Sequence, residues 1–260
     1  MPFTLSHPAA VLPFLRQGRA RGRLVASALV LGSMAPDVPY FAGAFAWGDL
    51  AHTWPAVPTL DVGIAAVLFG AWHLVLRAPL VGLLPTRWAA AAQELTAPRE
   101  GRVPWSRTPW FLLSAALGAA THVGWDGFTH PDRFGTRLFP ALQNGRLLGE
   151  PPYALLQYGC SVLGLALLGG LGGRELRRTA ARSPEPVGAP GNRRLALLLT
   201  TLAAVAGAGY RYAAWVRPGM PLTSVVPVVA FGAVAGACVA LVLYALLGLR
   251  RTSSGSSSGT

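Results

Sequence analysis

Apolar residues in this chain come in long unbroken runs, not in the alternation of a half-buried strand or the narrow stripe of a surface helix. A helix needs about 20 mostly apolar residues to cross a hydrocarbon layer of about 30 Å, at about 1.5 Å per residue. Six stretches meet that length: Leu24–Trp47, Leu60–Leu84, Pro109–His130, Pro152–Gly172, Leu195–Val216 and Leu222–Leu249. The first is the weakest, because it carries Pro36, Asp37 and Pro39. A shorter apolar piece, Thr4–Leu15, cannot cross and reads as a half-helix packed against the others. The expected fold is all-α, a polytopic membrane bundle of about six transmembrane helices plus a short N-terminal half-helix.

The connectors orient this bundle, since Arg accumulates on the cytoplasmic side of short loops. Arg16, Arg19, Arg21 and Arg23 precede the first span, whereas Gly48–Thr59 has no basic residue. Arg87, Arg99, Arg102 and Arg107 mark the next connector, and Arg174, Arg177, Arg178, Arg182, Arg193 and Arg194 the one after the fourth span. Arg250 and Arg251 follow the sixth. The remaining connector sets Arg133, Arg137 and Arg146 against Asp132 and Glu150 and falls outside. This alternation predicts an inner-membrane protein with both termini cytoplasmic. Residues 1–173 then form a four-span bundle and 174–194 an Arg/Pro-rich cytoplasmic linker containing SPEPVGAPGN. Residues 195–249 form a two-span pair, and 250–260 a flexible tail, natural or artificial.

Composition agrees. Of 260 residues, 52% are hydrophobic and 12% charged, against about 25% charged in a soluble domain; mean hydropathy is +0.44. The formal charge of +12 would suit nucleic acid, but all 22 basic residues are Arg and cluster mostly in short segments between apolar runs. Without Lys, Schiff-base and P-loop chemistry are excluded. Cys160 and Cys238 lie in apolar runs without CxxC spacing and read as small core residues. Cys160 has no base beside it, and no GxSxG occurs. No charged segment precedes an apolar run at the N-terminus, so a removable signal peptide is not expected. Trp47, Trp54, Trp105, Trp110 and Trp215 lie near span ends, where interfacial anchors belong.

Ionisable residues inside spans are costly and mark candidate sites. His122, Asp126 and His130 recur at four-residue intervals in ATHVGWDGFTHP, one stripe of a helix. Such a stripe can present two imidazoles and a carboxylate to one ion, or pin neighbouring helices as a polar seam. Asp37 in GSMAPD sits where flanking prolines break the backbone, and reads as a cavity-facing carboxylate or a boundary turn acid. His52 follows in the outer connector, and His7 opens the half-helix. Charge bias and helix rise put all six near the outer half or midplane of the membrane. His73 lies too far toward the cytoplasm and reads as structural. Arg133 and Arg137 follow the stripe, as phosphate ligands or as plain surface charges. Tyr210, Arg211 and Tyr212 are the polar candidates on the last two spans.

At MPFTLSHPAAVLP, GSMAPDVPYF, AHTW and THVGWDGFTHP, with LLQYG at Leu155–Gly159, the chain resembles the bacterial membrane family called domain of unknown function 4184. That family looks like a relative of membrane-bound metal-dependent hydrolases and, remotely, of the zinc-dependent phospholipase C and nuclease group. In the soluble group the ligands run His, Asp, His, then His-x3-Asp followed by His. The resemblance implies that His7, Asp37, His52, His122, Asp126 and His130 hold zinc, with Asp37 doubling as base and Asp126 also catalytic. The soluble enzymes add a later His and Glu, and no histidine follows His130. One metal site is then missing, reduced, or completed by Asp132 or Glu150.

The function expected is hydrolysis of a phosphoester of a lipid or other amphiphile with a divalent metal, zinc by preference, at about one to three ions. The partners expected are membrane lipid and a phosphorylated amphiphilic substrate, bound through Arg133 and Arg137, with no nucleic acid and no protein partner inferable. The alternatives are a metal-dependent cyclase or transferase of isoprenoid diphosphates, a metal-binding or transport protein, and a structural membrane protein.

Overall fold

The computed structural model describes residues 3–97, 105–182 and 192–255. Arg99, Arg102, most of SPEPVGAPGN and the last five residues of the tail lie outside the described residues.

Pro109 is tolerated in the first turn of α5 (Thr108–Thr129), where an amide donor has no helical partner. The same helix stops at its other end because Pro131 disfavours helical geometry at His130, which is extended at φ −134° and ψ 147°. Most of the remaining described chain is helical too, and the strands among the described residues form a hairpin of two residues each, β1 (Leu15–Arg16) and β2 (Arg19–Ala20). Four helices are long and apolar enough to cross a membrane, among the described residues. They are α3 (Trp54–Val81), α7 (Pro152–Ala180), α8 (Arg193–Trp215) and the Ser224–Gly248 part of α9 (Leu222–Gly255). Their outward faces carry exposed Val162, Leu197 and Val239, as lipid contact requires.

The other two expected spans differ. Pro109–His130 is helical as α5, but much of its length is buried and polar. Leu24–Trp47 is not one helix. It divides into α1 (Ala26–Gly32), a 3-10 turn at Ala35–Asp37, a helical turn at Val38–Phe41 and the start of α2 (Phe45–Ala51). Pro36 and Pro39 remove amide donors, and Gly43 takes the left-handed φ of 77° that turns the chain. The N-terminal piece forms a 3-10 helix at Thr4–Phe14 containing Pro8 and Pro13. Between these elements and α7 lie α4 (Thr86–Thr96) and the short α6 (Phe134–Leu138).

Contacts divide the chain into two units, the first comprising Met1–Pro39, Phe45–Phe69 and Ala97–Ala181. Here α1 and α5 touch backbone to backbone, Gly32 against Ala115 and Gly118 against Leu29, so a larger side chain at either glycine has no space. Ala28, Ala35, Val62, Ala65 and Ala115 form the core at that level, and Val57, Ala119 and Val123 continue it. The N-terminal 3-10 helix lies on α7, with Phe3 N donating to Ser161 Oγ at 2.8 Å and Ser6 and Ala9 packed over Gly164.

The second unit comprises Tyr40–Ala44, Gly70–Thr96 and Arg182–Thr260. Its centre is the α8–α9 pair, in which Gly207 meets Gly232 and Ala203 meets Gly236. That is small-residue packing at four-residue spacing, which lets spanning helices gain dispersion energy at short range. The Arg211 guanidinium, on α8 and buried, donates to the carbonyls of Tyr40 and Phe41 at 2.9 and 3.1 Å. Arg193 donates to the carbonyls of Leu83 and Leu84 just past the end of α3. Cys238 is exposed and Cys160 half-buried, so neither is the core residue that its apolar surroundings suggested. In a bilayer the apolar face of a helix points outward.

Candidate metal centre

Broken helices create this site. Because Asp37 N bonds to Met34 O in a 3-10 turn, the carbonyl of Ser33 does not take its helical donor. It instead accepts a hydrogen bond from His122 Nδ1 at 2.7 Å. His52, just past the end of α2, donates from Nδ1 to Gly48 O at 2.8 Å. Both imidazoles are therefore locked with their Nδ1 protons on backbone carbonyls and their Nε2 atoms facing inward, the outer-shell pattern of metal-bound histidine. The two Nε2 atoms lie 3.2 Å apart.

Two carboxylates complete the group. Asp37 Oδ1 lies 3.4 Å from His52 Nε2 and 3.5 Å from His122 Nε2. Asp126 Oδ2, from the next turn of α5, lies 3.3 and 3.4 Å from the same atoms. Thr4 donates to Asp37 Oδ2 at 2.6 Å, which leaves Oδ1 for the centre. All four residues are buried, with donor atoms within 4.8 Å of one another, and the group could hold a metal ion. The donor set fits a divalent cation: two neutral imidazoles and two carboxylates bring two negative charges that burial penalises unless a cation balances them. Asp37 Oδ1 and Asp126 Oδ2 have no hydrogen-bond partner.

His7 and His130 flank this group. His7 stacks on His122 with ring centroids 3.6 Å apart and puts Nε2 3.5 Å from Asp126 Oδ1. It is 1% exposed, yet neither ring nitrogen has a hydrogen-bond partner. His130 Nδ1 lies 3.6 Å from Asp126 Oδ2, and its Nε2 also lacks a partner. His52 is outside the spanning helices. Burial works against its imidazolium, but the Asp126 and Asp37 carboxylates beside Nε2 outweigh that and hold its pKa above the ordinary value.

All six residues named from sequence thus converge in the first unit. Of the two arginines, Arg133 reaches the edge of the site, donating to His52 O at 3.4 Å with its other nitrogen 4.0 Å from Asp49. Arg137 is exposed on α6. Asp132 and Glu150 do not complete the cluster. Asp132 is exposed and pairs with Gln143, and exposed Glu150 bridges to Leu147 through its backbone. Tyr210 and Tyr212 are exposed, and His73 belongs to the second unit.

Sequence reasoning missed Asp61. It is fully buried near the start of α3, neither carboxylate oxygen has a hydrogen-bond partner, and it lies within electrostatic range of His52 and His122. Its signal was an acid at the second position of the apolar run Leu60–Leu84.

The model of the family described as domain of unknown function 4184 matches residues 1–246. The chain belongs to that family. In this 4184-family member the match takes in the whole cluster, the whole first unit and most of the second. No curated protein and no solved structure matches the chain.

Proposed function

We propose that the chain is an integral-membrane, zinc-dependent hydrolase acting on a phosphoester of a lipid or other amphiphile. The observation that carries the zinc assignment is a set of five distances. Ligand atoms at about 2.0–2.1 Å from zinc in a tetrahedron stand about 3.3–3.4 Å from one another. The five distances among His52 Nε2, His122 Nε2, Asp37 Oδ1 and Asp126 Oδ2 run from 3.2 to 3.5 Å. A softer set would contain thiolate, and a calcium or magnesium set would be all oxygen.

Zinc held by these residues would supply a hydroxide nucleophile near neutral pH and offset charge on a phosphoester. The protein's own part is positional. Ser33 and Gly48 carbonyls fix the two imidazoles, Thr4 fixes Asp37, and Asp37 and Asp126 would hold the ion through the oxygens that face the centre. His7 Nε2, Asp126 Oδ1 and His130 offer donors for a second ion, which leaves room for substrate where the first four donors do not. Arg133 binds the phosphate, with Arg137 as an outer contact. Arg distribution supports six crossings in a bacterial inner membrane, the first composite, with both termini cytoplasmic and the cluster in the outer half.

One observation favours a second reading. Four protein donors close a tetrahedron, the arrangement of structural zinc. The test is elemental analysis of detergent-purified wild type, Asp126→Ala and His130→Ala, followed by zinc-dependent hydrolysis of phospholipids and isoprenyl phosphates. The hydrolase reading expects about two zinc ions per chain, fewer in His130→Ala, and turnover lost in both variants. One zinc retained in His130→Ala, with no turnover in wild type, assigns the centre to structure. No metal after zinc is supplied removes both readings.

A further inference from the structure

A groove of about 330 Å³ runs between α5 and α7, lined by Gly124, Trp125, Phe128, Thr129, Leu156 and Cys160. Five of these six are apolar, glycine or thiol, and Phe128 and Leu156 are exposed at its mouth. On α7, Leu163, one turn on from Cys160, is exposed as well. Its floor touches the metal centre twice. Trp125 meets the His7 ring edge to face at 6.4 Å, and Thr129 Oγ1 donates to Asp126 Oδ1 at 3.4 Å while lying 3.2 Å from His130 Nδ1. Oδ1 is the carboxylate oxygen that faces His7, away from the four-donor set. The volume is at the low end of the roughly 300–1,000 Å³ of small-molecule sites, enough for one chain and not a whole lipid.

We propose that this groove holds one hydrocarbon chain of a membrane lipid whose phosphate headgroup lies at the His7–Asp126–His130 side of the centre. The placement rests on the hydrolase reading for the headgroup and on the groove alone for the chain. An apolar trough facing the bilayer excludes water and has only hydrocarbon to fill it, while Thr129 marks where the polar end must begin. The groove would then select substrates by tail, and the metal cluster by phosphate.

The test uses the full chain in phosphatidylcholine vesicles containing a small fraction of phosphatidic acid with a diazirine in one acyl chain. After irradiation the label is mapped by mass spectrometry, and zinc is measured on the same preparation. Labelling is expected to concentrate on residues 124–129 and 156–160 relative to the exposed faces of α8 and α9. In Leu156→Trp, which fills an exposed part of the groove, it should fall at least about fivefold while zinc content is unchanged. A diazirine diacylglycerol, lacking phosphate, should label the groove no better than phosphatidic acid labels zinc-free Asp126→Asn. Even labelling across α7, α8 and α9, or labelling that Leu156→Trp leaves intact, overturns the groove. Groove labelling equal for both lipids overturns the headgroup placement. Absence of zinc from wild type overturns the hydrolase reading separately, because zinc content is read independently of where the label falls.

Discussion

The two units of this chain solve the same problem in opposite ways. Helices in a bilayer gain little from hiding apolar surface, so close packing or polar contact must hold them together. The second unit uses close packing: Ala203, Gly207, Gly232 and Gly236 bring α8 and α9 into backbone contact, and its one buried guanidinium, among described residues, is spent on the Tyr40 and Phe41 carbonyls. The first unit also has a glycine seam, Gly32 and Gly118 between α1 and α5, but next to it breaks its helices and buries three aspartates and three histidines. A unit that only had to pack would not carry that cost. The difference teaches that the polar cluster, not the bundle, is what the irregular backbone of the first unit serves.

Asp126→Ala should break this contrast most severely. It strips the centre of the residue that meets His7, His52, His122 and His130, abolishing metal binding and costing about 3–5 kcal/mol as buried partners are left unmatched; metal analysis and thermal unfolding in detergent check both. Gly232→Leu is the reciprocal change. It should destabilise by about 1–3 kcal/mol through overpacking, seen as a lower melting temperature, yet leave zinc stoichiometry at the wild-type value. Thr4→Val removes only the hydroxyl that orients Asp37, so zinc affinity should weaken about 10–100-fold with the fold intact, measured by chelator competition. The smallest effect is a pH dependence. A bound metal must displace the proton held by His52, whose pKa is raised, so affinity should climb with pH by up to about tenfold per unit, continue climbing past the ordinary imidazole value of about 6.5 and level off only above the raised one. Chelator titrations across this range would read it, and a flat profile would remove His52 from the ligand set.

Much of the site was legible in sequence. His122 and Asp126 stand one turn apart on an uninterrupted helix, where spacing alone fixes a shared face. Asp37 was legible because prolines on both sides announce a broken backbone. His7 and His52 followed only from estimated depth, and their convergence depends on turns that no local pattern encodes, such as the 3-10 turn that frees Ser33 O. The fold was legible in class and less so in detail. Apolar length identified the four long helices but could not separate a spanning helix from Leu24–Trp47, where the same residue types line a series of short turns. Cys238 misled because apolar neighbours mean burial in water and exposure in lipid. Asp61 was overlooked because a single acid hardly lowers the apolar character of a long run.

The helix α3 departs from α geometry twice, in π-helical turns at Val57–Asp61 and Ala71–Leu76. A turn of this kind accommodates one residue more than the regular ladder, so everything after it is offset by about 100° about the axis. Asp61 closes the first of these turns and owes its facing to it. Loss of one residue between positions 57 and 61 would leave a perfectly good helix while rotating that acid off its present bearing. Among relatives of this chain, a one-residue gap at this point is therefore worth more attention than many substitutions elsewhere, because it separates chains that keep the acid's aim from chains that merely keep the acid.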